Sequence, residues 1–518
     1  MNKIFSELCY ACRVGDKENV DRLASTGVNL NAVDEFDNSP LFLASLCGHE
    51  EVVKLLLERG AVCDRDRYEG ARCIYGALTD SIRDILLQYD ISKAVDLNQP
   101  FVMHLSSLLK ESAYQTHDIC ITSLGSKQNN RLRLHKFILN TRSPGFAGQV
   151  DFFNGGKHCI EIPSSVSPTV LEIVTKFIYL VPVLHEIDAR DMNCLIDLSA
   201  LWGMSELKEF LERVRHVIDP SEKSTMMVEY QHRITERARE QLCCFVNDNI
   251  LRNAVDVGPN LSLRSQELIS MFNSSAFPDL IVVVENSMGL KRFYPCHLAI
   301  LSRSNYFKIM FDLPLAECFA YKQFKAYRNI PSPTEIPTVS FPPCEFEVAE
   351  LLLRYLYYDA SEIPWQYAMD VLLIADHLLE DRVKSMAAVV ITQSKDILEE
   401  YSIFQILYLG WETRMERLEH YAAKIVANDI QRYAKDPELK KAIMLSSTRI
   451  SIRQETDSIE FVDDMRYYLL QKYAFEADDV EFLGEEDDED LLKASGFSDY
   501  MKDNSTIEAL LGKLNLQA

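Results

Sequence analysis

Positive charge is in short supply in this 518-residue sequence. Lys and Arg number 54 against 78 Asp and Glu, a formal net charge of −24. Neutralising a phosphate backbone takes clustered Lys and Arg, and no basic run exceeds a few residues, so no nucleic-acid partner is expected. Long apolar runs are missing too. No window approaches the roughly 18 uninterrupted apolar residues that would span a membrane. The opening stretch, MNKIFSELCYACRVGDKENV, reaches charge too early for a secretory leader. The 13 cysteines are odd in number and form no ladder of even spacings. These absences predict a reduced, intracellular protein, placed in the cytoplasm with the nucleus as the alternative.

The constellations that carry chemistry are also lacking. Cys9 and Cys12 form a C-x-x-C, but no second pair stands at metal spacing. A packing role suits them better, because a free Cys behaves as a small hydrophobe. Cys243 and Cys244 are adjacent, without a spaced His. His135 and His297 each follow a strand and open an apolar helix, with no Ser or Cys nucleophile in a strained Gly turn nearby. NGGKH lacks the first Gly and the Ser or Thr of a phosphate loop. No enzyme, metal or cofactor is expected.

What is present is repetition. At 518 residues the chain needs several cores, since one rarely grows past about 250–300 residues. Ala11, Gly15, Val20 and Gly27 recur 33 residues later as Ala44, Gly48, Val53 and Gly60, and Ala44 recurs as Ala77. Pro40 suits a first helical turn, where its missing N–H is not needed. Gly48 and Gly60 suit helix ends. The middle copy, DNSPLFLASLCGHEEVVKLLLERGAVCD, resembles the ankyrin repeat. Two and a half repeats are too few to stand alone, so this unit is expected to dock through a helix at 100–113.

A longer echo follows. THDICITS parallels FPDLIVVVE, and LHKFILNTRSPGF parallels CHLAILSRSNYF. LEIVTKFIYL parallels AELLLRYLYYD, and CLIDLSALWGMSELKEFL parallels MDVLLIADHLLEDRVKSM. Each unit reads as hairpin, helix pair, return strand and more helices. Leu280 to Val284 is continuously apolar, as a buried strand should be. The order of elements resembles the BTB/POZ domain. Its motif residues are Asp118, His135, Leu139, Ser143 and Phe146 in the first copy, and Asp279, His297, Leu301, Ser304, Tyr306 and Phe307 in the second. The second copy is one residue shorter between its His and Ser. In the BTB family the Asp lies at the start of the first strand, on the dimer side. A buried carboxylate must have a partner, with Arg142 or Arg303 as candidates, and a dimer-interface role is compatible with that.

The domain order, with LCGHEEVVKLLLERGA and RQETDSIEFVDDMR, resembles the ankyrin-repeat and BTB/POZ domain-containing protein family over residues 5–470. The expected fold is helix-rich α+β. Ankyrin repeats over 1–93 and a connecting helix over 94–113 come first. BTB/POZ units over 114–217 and 266–392 flank a charged, partly helical linker over 218–265. A BACK-like helical region over 393–475 precedes an acidic linker and a terminal helix behind a Ser505 cap, over 476–518.

KIMFDLPLAECF, Lys308 to Phe319, shows an apolar residue and then a carboxylate just where a helix must stop. In BTB adaptors that bind the scaffold cullin-3, an F-x-x-M-F helix precedes a loop carrying apolar-x-Glu. Phe307, Met310 and Phe311 match the helix; Leu315 and Glu317 match the loop. The resemblance implies a cullin contact in the second unit, since GQVDFFNGGKHCIEI in the first has no such motif. The bland alternative packs Leu315 on its own domain and leaves Glu317 solvated. Phe36, Arg67 and Tyr68 sit on ankyrin turns where the family meets partners, or are ordinary solvated turns. The expected function is a non-catalytic adaptor in a cullin-3-type ubiquitin ligase. The alternative is a scaffold built by BTB pairing within or between chains.

Overall fold

A computed structural model describes residues 3–516, apart from 25–27, 59–60, 64–67, 89–99, 111–114, 124–130, 150–158, 163–165, 182–186, 218–219, 327–335, 454–458, 476–495 and positions 29, 31, 62, 189, 260, 361 and 474. The chain forms two compact units. One comprises Met1–Glu362 with Ile374–Asp381, the other Ile363–Leu373 with Arg382–Ala518.

The first unit opens with three helix pairs: α1 (Lys3–Val14) with α2 (Lys17–Ala24), α3 (Pro40–Leu46) with α4 (Glu50–Glu58), and α5 (Tyr68–Tyr75) with α6 (Asp80–Gln88). Their shared core includes Ala11, Ala44 and Ala77, the repeat's period made physical. Ser39 caps α3 by accepting the Phe42 N–H at 3.1 Å, with Pro40 in the first turn. Gly15 has φ 77°, and a Cβ there would lie 2.5 Å from His49 Nδ1. The glycine therefore admits His49, which bonds the Arg13 carbonyl at 3.0 Å and stitches one repeat to the next. Cys9 and Cys12 are buried in this core. Helix α7 (Pro100–Ser107) follows, shorter than the 100–113 expected.

Next comes a sheet of β1 (Ile119–Ser123), β2 (Arg131–Leu134) and β3 (Cys159–Ile162), with α8 (Lys136–Arg142) and α9 (Pro144–Gln149) between β2 and β3. Helices α10 (Pro168–Ile178), α11 (Met192–Leu201) and α12 (Ser205–Val214) complete it. The second sheet has β4 (Val255–Val257), β5 (Leu280–Glu285), β6 (Lys291–Cys296) and β7 (Thr338–Ser340). The two share a topology. A central strand pairs antiparallel with the strand after it and parallel with a returning one: β2-β1-β3 and β6-β5-β7. Leu280, Ile281, Val282 and Val284 are fully buried, as a central strand requires.

The segment between the sheets departs from expectation. It is no linker. Helix α13 (Pro220–Phe245) runs 26 residues, and Tyr230, Ile234, Ala238, Leu242 and Phe245 form a buried stripe at helical spacing. A π-helical turn over Val246–Leu251 leads into β4, which joins the second sheet. Exposed charges on α13, among them Arg233, Arg237 and Glu240, hide the stripe from a compositional reading. Helix α14 (Ser265–Phe272) follows, with Met271 in a cluster beside the sheet. Then come α15 (Leu298–Leu301), α16 (Asn305–Asp312), α17 (Ala316–Ala326) and α18 (Phe346–Tyr358).

Helix α19 (Ala368–His377) has residues in both units. The second unit continues with α20 (Asp381–Gln393), α21 (Ile397–Glu400), α22 (Ile403–Thr413), α23 (Glu416–Asn428), α24 (Ile430–Tyr433), α25 (Pro437–Arg453), α26 (Glu460–Tyr473) and α27 (Phe497–Leu514). Ser402 and Gln405 form a capping box at α22. Gly410 brings α23 close, for a Cβ there would lie 2.9 Å from Leu418 Cβ. Helix α27 begins at Phe497, well before the cap expected at Ser505, whose hydroxyl instead donates to Lys502 O inside the helix at 2.8 Å. Asp503 draws the helix in, accepting from Lys472 and the Tyr473 hydroxyl at 2.8 Å each and from Gln431 at 2.9 Å. The acidic run lies outside the described residues.

Candidate partner-binding surface

The sequence motif residues build one polar network twice. Asp118 Oδ1 accepts the Lys136 N–H at 2.7 Å, and Asp279 Oδ1 accepts the Leu298 N–H at 2.9 Å. Each carboxylate thus starts the helix after its hairpin. His135 and His297 are both 2% exposed. His135 Nδ1 meets the Tyr179 hydroxyl at 3.0 Å and His297 Nδ1 the Tyr357 hydroxyl at 2.8 Å. Ser143 donates to the Trp202 carbonyl at 3.3 Å and Ser304 to that of Leu378 at 2.9 Å. The missing residue in the second copy shortens α15 to four residues and leaves the Ser bond intact.

The expected counter-ions are not the arginines. Arg303 pairs with Asp359, and Arg142 donates to Ile178 O and Gln241 Oε1. Asp279 takes Lys325 at 3.1 Å and the Tyr321 hydroxyl at 2.7 Å, both from α17. Burial alone would push the Asp279 carboxyl up; Lys325, His297, the Tyr321 hydroxyl and the Leu298 N–H outweigh it and hold the group below its ordinary range. Sequence reasoning missed Lys325 because it lies 46 residues away, on a helix read only as the end of a motif.

Lys325 also donates to the Thr116 carbonyl at 3.0 Å, and the Thr116 hydroxyl meets His135 Nε2 at 2.9 Å. One buried chain of hydrogen bonds therefore runs from Tyr179 through His135, Thr116 and Lys325 to Asp279. Beside it the Phe137 ring stacks on His297 with centroids 3.9 Å apart, and Phe245 lies 6.0 Å from both rings. The two sheet-bearing halves are packed on each other within one chain. Helix α7 packs on the second half: Phe101 and Leu105 are buried, and His104 Nε2 meets the Ala299 carbonyl at 2.7 Å.

The puzzling stretch lies on the opposite side of α16 and α17 from this core. Phe307 and Phe311 are 0% and 3% exposed. They hold α16 in place and cannot themselves meet a partner, which corrects their assignment as contacts. Met310 is half-buried. Leu315 is 42% exposed and does not fold back on its own domain. Leu315 O accepts the Phe319 N–H at 3.1 Å, so the motif is the first turn of α17 and no free loop. Ile309 and Leu313 end α16 one turn apart, and Leu315 and Phe319 begin α17 likewise; all four are exposed. Glu317 stands in the first turn of α17, where the helix dipole favours a carboxylate, and among the described residues no hydrogen bond or ion pair holds it. The result is an apolar strip with a carboxylate free to accept a bond. Ile309, Leu313 and Phe319 stand at positions that the F-x-x-M-F and apolar-x-Glu patterns do not name.

On the ankyrin side, Asp34 Oδ1 accepts the N–H groups of Phe36 and Asn38 at 2.9 Å each. This turn presents Phe36 at 71% exposure. Arg67 and the side chain of Tyr68 lie outside the described residues. Among the described residues no group of three His, Cys, Asp or Glu could hold a metal ion, and no helix is long and apolar enough to cross a membrane.

Ankyrin helix pairs followed by a sheet-bearing unit with an exposed apolar strip define a protein-interaction adaptor. The BTB/POZ domain profile matches residues 268–395 and an ankyrin-repeat profile residues 8–57. An ankyrin repeat-containing protein of Saccharomyces cerevisiae is 54% identical over 491 residues, covering 94% of this chain and 93% of the relative. BTB/POZ domain-containing protein 3 of Schizosaccharomyces pombe is 34% identical over 520 residues, covering 99% of this chain and 90% of the relative. The chain belongs to the family of ankyrin-repeat and BTB/POZ domain-containing proteins.

Proposed function

We propose that this adaptor recruits a cullin-3-type ubiquitin ligase through the strip at Leu313, Leu315, Glu317 and Phe319. The ankyrin repeats or the C-terminal helices then choose the substrate. The observation that carries this reading is the exposure of Leu315 and Phe319 above a helix locked by buried Phe307 and Phe311. Well-packed apolar knobs beside a hydrogen-bonding group are what interface hot spots require. The mechanism is proximity: tethering two proteins raises their effective concentration without chemistry of its own. Residues 114–217 act as a second BTB unit, for which the repeated strand order and Asp–His–Tyr–Ser network speak.

The second reading is a scaffold without a ligase, and the stack of Phe137 on His297 favours it to the extent that pairing is already complete within one chain. The variant Leu315→Asp, Glu317→Ala separates the two. Its cullin-3 pull-down should fall at least about tenfold, as the loss of a hot-spot side chain implies, with an unchanged melting temperature. Binding equal to that of the natural chain rejects the contact and leaves the scaffold.

A further inference from the structure

Arg142 is 7% exposed, yet no carboxylate among the described residues reaches it. Nε donates to the Ile178 carbonyl at 3.2 Å and Nη1 to Gln241 Oε1 at 2.7 Å; Nη2 has no acceptor among the described residues. Both partners are neutral. Burial pushes the guanidinium pKa down to about 10, and nearby Tyr230 and Glu206 offset only part of this. A buried cation left this way is costly.

The second half of the molecule supplies an internal comparison. Arg303 precedes Ser304 as Arg142 precedes Ser143. It donates to the carbonyl of Leu356, the residue before the histidine-holding Tyr357, as Arg142 does to that of Ile178 before Tyr179. Arg303, however, also pairs with Asp359, which Arg239 approaches at 3.3 Å from the far side. The chain reads Tyr357-Tyr358-Asp359 there and Tyr179-Leu180-Val181 in the first half. The carboxylate is missing from the first copy.

A cavity of about 130 Å³ opens where a carboxylate could reach Arg142, lined also by Gly203, Ser205, Glu206, Arg237 and Gln241. Ser205 and Glu206 form the first turn of α12, whose N-cap, Met204, offers no side-chain cap. The orphan N–H groups of that turn are ready donors. Glu206 does not fill the gap, because it is drawn off to Arg237 Nε at 3.2 Å. Tyr230, near enough to Arg142 for their charges to interact, keeps a buried hydroxyl with no hydrogen-bond partner among the described residues. We propose that this cavity binds a carboxylate, which gives Arg142 the partner that Asp359 gives Arg303. The carboxylate comes from a free small acid or from an acidic side chain of a peptide.

The test titrates the full chain with malonate and, separately, with acetyl-Ala-Glu-Ala-amide, against chloride at equal ionic strength, by calorimetry and thermal melting. Binding of either carboxylate with a rise in melting temperature is expected, and the arm that responds identifies the source. Arg142→Gln should abolish both effects. Arg237→Gln lies on a half-exposed side chain, so it keeps the test sound if Arg142→Gln fails to fold; it should weaken binding about tenfold, as loss of one charge-assisted contact implies. Chloride acting as strongly as the carboxylates, neither carboxylate binding, or an unchanged affinity in Arg237→Gln would overturn the site.

Discussion

Replacing Asp279 with Ala should destabilise the first compact unit by about 3–5 kcal/mol, a large share of a typical domain's stability. The carboxylate is 4% exposed and holds Lys325, the Tyr321 hydroxyl and the Leu298 N–H at once. Its removal strands an ammonium whose side chain is 9% exposed. The companion variant Asp279→Ala, Lys325→Met removes both charges and should recover about half of the loss. The remainder reflects the helix N–H of Leu298 and the Tyr321 hydroxyl, left without their acceptor. Trp202 is buried in the same unit and can report its urea transition once Trp365 and Trp411 are Phe. Equal midpoints for Asp279→Ala and the natural chain would show that the pair holds nothing together.

Acid should open the same seam. Burial holds both seam histidines neutral: the His135 pKa is lowered to about 3, and that of His297 is also lowered. A base whose folded pKa lies below its unfolded value of 6.5 binds more protons when unfolded. Its contribution is therefore complete above pH 6.5 and is lost as pH falls from there toward 3. A group of this kind contributes a slope of up to about 1.4 kcal/mol per pH unit, which His135 supplies between pH 6.5 and about 3. Near pH 5 His135 alone should have removed about 2 kcal/mol, and His297 adds to the loss in the same direction. The Asp279 carboxyl adds to this only below its ordinary range, in the same direction. Urea midpoints of the Trp202 signal at pH 7.5, 6 and 5 measure the slope. His297→Gln should flatten it. A midpoint constant over that range would contradict the burial of neutral imidazoles.

Periodicity and pattern made much of this legible from the residues. The repeat of Ala11, Ala44 and Ala77 is the ankyrin core, and the continuous apolar run Leu280 to Val284 is the central strand of its sheet. The Asp, His and Ser of each copy occupy matched places because local helix capping and one strand pairing set them. Long-range partners were not legible. Lys325 for Asp279, Asp359 for Arg303 and Tyr179 for His135 depend on how separate helices pack, which no spacing encodes. Helix α13 was read as a linker because its exposed charges dominate composition, while its buried stripe from Tyr230 to Phe245 is narrow. At the strip, the pattern names Leu315, which is exposed, and Glu317, which is half-buried, together with Phe307 and Phe311, which are buried. Only burial separates the residues that position from those that touch.

The account rests on one arrangement: two sheet-bearing halves closed on each other within a chain, with the strip proposed for recruitment exposed at Leu313, Leu315 and Phe319. Light scattering of the purified chain, alone and mixed with the N-terminal domain of cullin-3, tests it most directly. The expected result is a 59.4 kDa monomer and a complex of one chain with one cullin domain. A chain dimer, a complex of two chains with two cullin domains, or no complex at all would contradict it.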